Sequence, residues 1–460
     1  MRPLSRIDAA PALSFAEEAR AFLDAHPETR TVDVLFSDIN GISRGMQFPV
    51  TVLDDIGAGG INMPSTALLL DAKGAVYPAR LGERFIGDPD AWFHPVPGTL
   101  APVPWAATPT AQLLTTACEH DGTPAWFDPR AVLAHAARPF AEAGLTPVVA
   151  LESEFYLLEP SDAGPLPAGP SGHMPRLTGP QCLSIEALYD FEGFIREIES
   201  LAGEQSVPVT SVLAEYGDGQ FEANLHHVAD ALAACDHMVL LKRIVKAAAR
   251  KRGSVASFMA KPVTGANGSG LHVHASLLDR AGRNVFSGEP GRTRLDHAIG
   301  GVLAALPESI ALLCPNANSY RRFQPESYVP RGVSWGPNHR AVAVRVPPSD
   351  EAGRRLEHRV AGADACPYLV VAAILAGIHY GLENAVEPPP ATGEREAPVE
   401  ARPFPTRWPV ALDALAAGQI LPGALGREFH ALYLNVKRQE EARYNAVVTP
   451  FDHDWYFRIV

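Results

Sequence analysis

The chain has 460 residues, 47% hydrophobic and 20% charged, which is ample for a large core and too apolar for a disordered chain. Its formal charge of −13 lacks the basic footprint of a nucleic-acid binder and suits solubility and cationic ligands. Five dispersed cysteines (Cys118, Cys182, Cys235, Cys314, Cys366), with no C-x-x-C pair, argue against a disulfide framework and against a zinc site.

The opening MRPLSRIDAAPALSF lacks the apolar core of a signal peptide, so a cytoplasmic, reducing location is expected. Ser14-x-x-Glu17 predicts a capping box ahead of a helix to about Ala25. Thr31–Phe36 reads as a strand, Asp38–Gly41 as a turn, and short strands continue to about Pro104. Asp128-Pro129 starts a new helix, with Asp as cap and Pro in the first turn. From Pro147 strands alternate with long helices, the clearest from about Ala229 to Arg252. Ala365–Leu382 is near membrane-spanning length. His379 and the small residues Ala372, Ala373, Ala376 and Gly377 make it read as a buried helix of a soluble domain, with no membrane partner. Pro160–Pro180 and Pro388–Pro409 read as exposed loops.

Four segments carry charge where an apolar strand is expected. In LESEFYLL (151–158) the strand period places Glu152, Glu154 and Tyr156 on one face and Leu151, Phe155 and Leu157 on the other. In AEYGDGQFEANL, an Asp218-Gly219 two-residue turn would set Glu215 directly opposite Glu222. Like charges so opposed destabilise a sheet, and a divalent cation would reverse that sign. In Arg355–Val360, Glu357 alternates with Arg355 and Arg359. In GANGSGLHVHAS (265–276) a glycine-rich turn leads into a strand with His272 and His274 on one face. It is no P-loop, because no Lys-Ser or Lys-Thr follows the glycines. Each pattern alone has an ordinary reading as a half-exposed strand face, a turn or a solvated ladder. Together they point to a metal site. Carboxylates with one histidine suit Mg²⁺ or Mn²⁺, and nearby arginines suit a polyphosphate and a carboxylate substrate.

At these residues the chain resembles the glutamine synthetase family over nearly its whole length. The landmarks are VDVLFSDINGISRG (32–45), E-x-E at 152–154, EYGDGQFE (215–222), KPVTGANGSGLHVHASL (261–277), NSYRRFQP (318–325), NHRAVAVRVP (338–347) and RRLEHR (354–359). SYRRFQPESYVP, HRVAGADACPYLVVAAILAGI and PFPTR resemble the family's γ-glutamylpolyamine synthetases more closely. The resemblance implies an α+β fold: a small β-grasp-like N-terminal domain (1–108) and a catalytic domain (109–460) on a curved antiparallel sheet. It implies ATP-driven joining of glutamate's γ-carboxyl to an organic amine, putrescine or a polyamine, through γ-glutamyl phosphate. It also implies a hexameric ring or dodecamer with sites between subunits, and two or three Mg²⁺ or Mn²⁺ ions per site.

By the same resemblance Glu154, Glu215 and Glu222 would hold one metal, and Glu152, His272 and Glu357 the second. His274, Ser276, Arg345 and Arg355 would contact nucleotide phosphates. Asn267, Gly268, Arg322 and Arg359 would bind glutamate, and Arg340 would stabilise the phosphoryl group in flight. The chain departs from ammonia-using members at two places. Met63-Pro64-Ser65 stands where they carry an Asp, and Tyr328 where they carry a flap glutamate. Both missing acids serve ammonium, so an organic amine is the expected nucleophile. Ethanolamine, an alkyl monoamine and ammonia itself stay as alternatives, as does a non-catalytic structural or regulatory relative on the same fold. Glu326 is a candidate for removing the amine's proton, and Tyr328 either packs on an alkyl chain or is an ordinary loop aromatic.

Overall fold

The computed structural model describes residues 14–76, 80–161, 164–170, 179–324, 327–398 and 402–460. Glu326 therefore lies outside the described residues, as do parts of the two expected loops at 160–180 and 388–409. The first helix, Phe15–Ala25, begins at the expected capping box: Glu17 N bonds the Ser14 side chain, and the Glu17 carboxylate accepts from Ser14 N at 2.9 Å.

The N-terminal part is a six-stranded sheet. Its strands are β1 (Thr31–Ser37), β2 (Ser43–Pro49), β3 (Ile61–Pro64), β4 (Asp90–Pro95), β5 (Ala101–Pro102) and β6 (Thr110–Cys118). The order is β2-β1-β6-β4-β3, with β5 pairing β6. β1 and β6 run parallel at the centre, and the other pairs are antiparallel. The boundary expected at residue 108 falls before β6, which completes this sheet.

The larger part is a nine-stranded sheet containing β7 (Thr146–Glu159), β8 (Leu166–Pro167), β9 (Val209–Ala214), β10 (Gln220–Leu225), β11 (Val255–Ser257) and β12 (Leu271–Leu278). β13 (Gly332–Val333) stands apart, pairing with Arg402–Pro403, and β14 (Trp335–Pro337), β15 (Val344–Val346) and β16 (Leu356–His358) complete the larger sheet. Its order is β14-β15-β16-β12-β7-β10-β9, antiparallel except for the edge pair β14–β15. The chain is thus α+β, as expected, with a curved, almost wholly antiparallel catalytic sheet.

One face of that sheet is dry. Leu151, Phe155 and Leu157 are fully buried, and Phe155 meets Phe194, Phe221 and Phe258 with ring centroids 5.4–6.2 Å apart. Each such side chain contributes roughly 1.5–3 kcal/mol of burial free energy, which fixes the register of β7. The helix Ala231–Lys251, expected from about Ala229 to Arg252, packs on this side. Behind it, Gly288–Leu313 and Pro367–Asn384 lie along each other. A Cβ on Gly301 would stand 2.1 Å from Gly377 O, so glycine is required at this approach. The apolar run 367–378 is buried throughout, as a core helix should be. Among the described residues, Gly288–Leu313 is the one helix long and apolar enough to cross a membrane, and 78% of its most apolar window is buried inside the protein.

Candidate active site

The other face of the catalytic sheet gathers the charged residues. β7 is central, with β12 on one side and β10 on the other. Glu152 stands opposite His272 of β12 and Asn224 of β10, and Glu154 stands opposite Glu222. On the next strand out, Glu357 of β16 is opposite His274. Three alternating patterns on neighbouring strands therefore fall on one patch.

The hairpin register departs from the expectation. Glu222 pairs with Leu213, not Glu215, because four residues (216–219) form the loop. Gln220 N bonds Gly217 O at 2.8 Å and Glu215 N bonds Gln220 O at 2.9 Å. Side chains choose this closure. Gly217 lies so close to Tyr156 that a Cβ would stand 2.1 Å from the phenolic oxygen, and Gly217 N bonds Gln220 Oε1 at 3.0 Å. The register changes by an even number of residues, so Glu215 stays on the same face. The opposed like-charged pair is Glu222 with Glu154.

Ligand atoms converge within 4.8 Å in three triads: Glu154–Glu215–Glu222, Glu152–Glu222–His272 and Glu152–His274–Glu357. The first is the expected set. The second metal's expected set of Glu152, His272 and Glu357 is instead divided between two triads that share Glu152, and His274 joins them. Hard oxygen donors with imidazole nitrogen fit Mg²⁺ or Mn²⁺.

Electrostatics separate the two ends of this patch. Burial, and then repulsion from Glu154, push Glu215 up to about 7, while Arg340 and Arg359 pull the other way. Burial and the charges of Glu152, Glu154 and Glu215 push Glu222 up to about 9. Burial also opposes ionisation of Glu357, yet Arg359, His274 and His272 outweigh it and hold that carboxyl at about 2. Glu152 is likewise held well below the usual range, because the imidazoles of His272, 3.6 Å away, and His274, in hydrogen-bond contact, overcome its burial. His274 Nε2 is 2.8 Å from Glu152 Oε1, and Arg355 Nε donates to His274 Nδ1 at 3.2 Å. An arginine N–H aimed at Nδ1 leaves Nε2 as the nitrogen that donates to Glu152.

The arginines lie around these carboxylates. Arg345 Nη1 donates to Glu357 Oε2 at 2.7 Å, and Arg359 donates to the other oxygen of the same carboxylate. Arg359 Nε also holds Arg340 O at 2.9 Å, which positions the exposed Arg340 near Glu215. Ser276 continues the His272–His274 face at the far end of β12, opposite Val148. Arg322 is buried beneath the glycine-rich segment and donates to Val360 O at 2.9 Å. A Cβ on Gly268 would come within 2.6 Å of Arg322 Cγ, so the loop lies directly on that arginine. Asn267 is exposed.

Two residues that the sequence reading gives no role, Tyr156 and Gln220, hold the pieces together. Gln220 Nε2 donates to Glu154 Oε2 at 3.3 Å and to Gly268 O at 3.1 Å. Tyr156 donates to Asn267 O at 2.9 Å, and Gly270 N bonds Glu154 Oε2 at 2.8 Å. Both lie on the charged faces that strand alternation identifies, Tyr156 beside Glu154 and Gln220 beside Glu222. That period was the available signal.

The profile of the glutamine synthetase catalytic domain matches residues 127–456. The chain is 39% identical to the γ-glutamylputrescine synthetase PuuA of Escherichia coli (strain K12), covering 97% of this chain and 95% of that one. It is 31% identical to a glutamate–isopropylamine ligase of a Pseudomonas species, over 81% and 83% of the two chains. With the γ-glutamylethanolamide synthetase GlnA4 of Streptomyces coelicolor it shares 30% identity over 96% and 94%. The solved GmaS/ADP complex superposes with a TM-score of 0.83 at 27% identity, covering 97% of this chain and all of the other. The chain belongs to the glutamine synthetase family.

Proposed function

We propose that this protein is an ATP-dependent ligase that joins the γ-carboxyl of L-glutamate to an organic amine, putrescine or a related polyamine. One observation carries the reading: near-full-length identity of 39% to a γ-glutamylputrescine synthetase. The carboxylate–histidine patch and its ring of arginines supply the chemistry such a ligase needs.

In the first step a γ-carboxylate oxygen attacks the γ-phosphorus of ATP, the bond to ADP breaks, and γ-glutamyl phosphate forms. The amine nitrogen then attacks the acyl carbon, phosphate leaves, and the nitrogen gives up a proton. Two or three divalent ions (Mg²⁺ or Mn²⁺), when bound, neutralise the phosphate oxygens and the carboxylates beneath them. Glu154, Glu215 and Glu222 form one ligand set; Glu152, His272 and Glu357 provide the rest, with His274 beside them. Arg340 faces the transferring phosphoryl group from the rim of the patch. Arg345, Arg355 and Ser276 lie toward the nucleotide end, and Arg322, Arg359, Asn267 and Gly268 toward the glutamate end. Glu326 is assigned to the amine's proton.

We place the N-terminal unit at residues up to Cys118, since β6 belongs to its sheet. A ring of six or twelve subunits in the cytoplasm completes the reading. Its support is a C-terminal stretch with Phe451, Trp455, Phe457, Ile459 and Val460 exposed, and five cysteines that are all free. The relatives named for isopropylamine and ethanolamide favour a second reading, the same reaction on a shorter amine.

Phosphate release is measured with ATP, Mg²⁺ and glutamate against ammonium, putrescine, cadaverine, spermidine, ethanolamine and isopropylamine. Putrescine or a polyamine is expected to give the highest kcat/KM. Turnover on ammonium alone overturns the assignment, and a maximum at ethanolamine or isopropylamine selects the second reading.

A further inference from the structure

Tyr216 follows Glu215 in the four-residue loop of the β9–β10 hairpin, and its backbone N donates to Glu215 Oε2 at 3.2 Å. One turn thus carries both a carboxylate of the anionic triad and an aromatic ring. Tyr328 arrives from a separate loop beyond the Ser319–Arg322 turn. Its ring lies 5.3 Å from that of Tyr216, tilted by 39°, with the two hydroxyls 3.5 Å apart. Both rings are exposed, Tyr216 by 39% and Tyr328 by 58%, so the core does not account for the pair.

Their surroundings indicate what the pair is for. The Tyr216 hydroxyl lies in the field of Cys182 and Glu215. Cys182 in turn lies in the field of Glu215, Arg340, Glu222 and Glu154. Tyr216 is bonded through its backbone N to the Glu215 carboxylate of the anionic triad, so the ring pair stands beside that carboxylate. ATP is anionic, and glutamate carries its α-ammonium beside an α-carboxylate, so the amine is the one substrate that is a cation with no anionic group of its own. A protonated alkyl amine is drawn there by charge, and its methylenes and ammonium group both suit aromatic faces.

We propose that Tyr216 and Tyr328 together form the seat for the hydrocarbon chain of the amine substrate, and so discriminate organic amines from ammonium. The inference rests on the ligase reading above and adds Tyr216 as a specificity-determining residue. Each methylene removed from water on the rings strengthens binding by about fourfold, and ammonium has none to contribute.

The test uses the assembled full-length enzyme at saturating ATP and glutamate. Amine concentration is varied for ammonium, 1,3-diaminopropane, putrescine and cadaverine, in wild type, Tyr216→Ala, Tyr328→Ala and Tyr216→Phe. Each Ala variant is expected to raise KM for putrescine about fifteenfold, the loss of roughly two methylene contacts. KM for ATP and glutamate should stay within about twofold of wild type, while Tyr216→Phe, which keeps the ring, should restore most of the putrescine affinity. Unchanged putrescine KM in both Ala variants overturns the inference, as does an equal rise in glutamate or ATP KM. If an Ala variant fails to fold, Tyr216→Leu and Tyr328→Leu read the same split with loop packing retained. A wild-type enzyme inactive on every organic amine sinks the ligase reading itself. A putrescine-active enzyme indifferent to these substitutions sinks only the aromatic seat.

Discussion

The two ends of the charged patch use the same residue type with opposite results. At one end Glu154, Glu215 and Glu222 face one another across β7 and the β9–β10 hairpin; burial and mutual repulsion push Glu215 up to about 7 and Glu222 up to about 9. At the other end Glu357 is still more deeply buried, yet Arg359 and the histidines hold it at about 2. One end has its positive charge built in as Arg345 and Arg359, with His272 and His274 beside them. The other takes its positive charge from protons or from a bound cation. Burial alone therefore does not decide whether these carboxyls ionise; the partner does.

Removing one carboxylate from each end breaks the comparison most severely. Glu154→Ala and Glu357→Ala should each lower amine-dependent phosphate release by about 10³-fold or more, the scale of losing a transition-state charge contact. Both variants should fold, but not equally well. Glu357→Ala strands Arg345 and Arg359 without their shared partner, a change that costs about 3–5 kcal/mol for a buried pair. Glu154→Ala relieves repulsion but removes the acceptor of Gly270 N and Gln220 Nε2, so the metal-free protein should lose less, about 1–2 kcal/mol. Thermal unfolding in EDTA orders the variants, and phosphate release reads the activity. Full activity in either one contradicts the ligand assignment.

A smaller effect separates the ends by pH. The folded-state pKa values of Glu215 and Glu222 lie above the ordinary carboxyl value, so the folded state holds extra protons. Their contribution to the metal-free protein is fully present below about pH 4.5 and is lost as pH rises through about 7 and then about 9. Glu357 runs the other way. Its contribution is present above about pH 4.5 and is lost as pH falls through about 2. Mg²⁺ competes with the protons at the anionic end, so its stabilisation should grow from pH 6 to pH 8.5. It should reach about 2.7 kcal/mol at a hundredfold excess over Kd. Glu222→Gln should flatten that pH dependence. A Mg²⁺ shift that is equal at both pH values, or absent, contradicts the picture.

How much of this was legible depended on how local the determinant was. Strand alternation put Glu152, Glu154 and Tyr156 on one face because a period of two is a property of the backbone alone. The alternation at Glu357 was legible for the same reason, although the strand shrinks to Leu356–His358, with Arg355 and Arg359 just beyond its ends. The hairpin register was not legible. Asp218-Gly219 is a good two-residue turn by its own chemistry, and Gly219 does adopt a positive φ of 69°. The longer loop is selected by Tyr156, distant in sequence, which fills the space beside Gly217. The break near residue 108 lacks a local signal for the same reason. Nothing in TAQLLTTAC says whether it extends the first sheet or opens the second until β1 lies alongside it. The pairing of Tyr216 with Tyr328 likewise joins two loops that neither segment reveals alone.

The mildest substitution tests whether the two ends are joined through the glycine-rich segment. Tyr156 is buried on the charged side of β7, and its hydroxyl donates to Asn267 O at 2.9 Å while lying 3.3 Å from Gln220 Oε1. Its hydroxyl hydrogen-bonds Asn267 O and Gln220 Oε1 rather than a triad carboxylate. Tyr156→Phe keeps the ring and removes one hydrogen bond, which costs about 1 kcal/mol of stability. The segment it pins also bonds Glu154 through Gly270 N and rests on Arg322 at Gly268. Loosening it should therefore raise the KM for glutamate about fivefold, the equivalent of that free energy, while kcat and the Mg²⁺ requirement stay within about twofold. Lower stability with an unchanged glutamate KM would mean that Gln220 and Gly270 hold the segment without Tyr156. A change in the Mg²⁺ requirement would mean that the segment acts on the metal ligands rather than on glutamate.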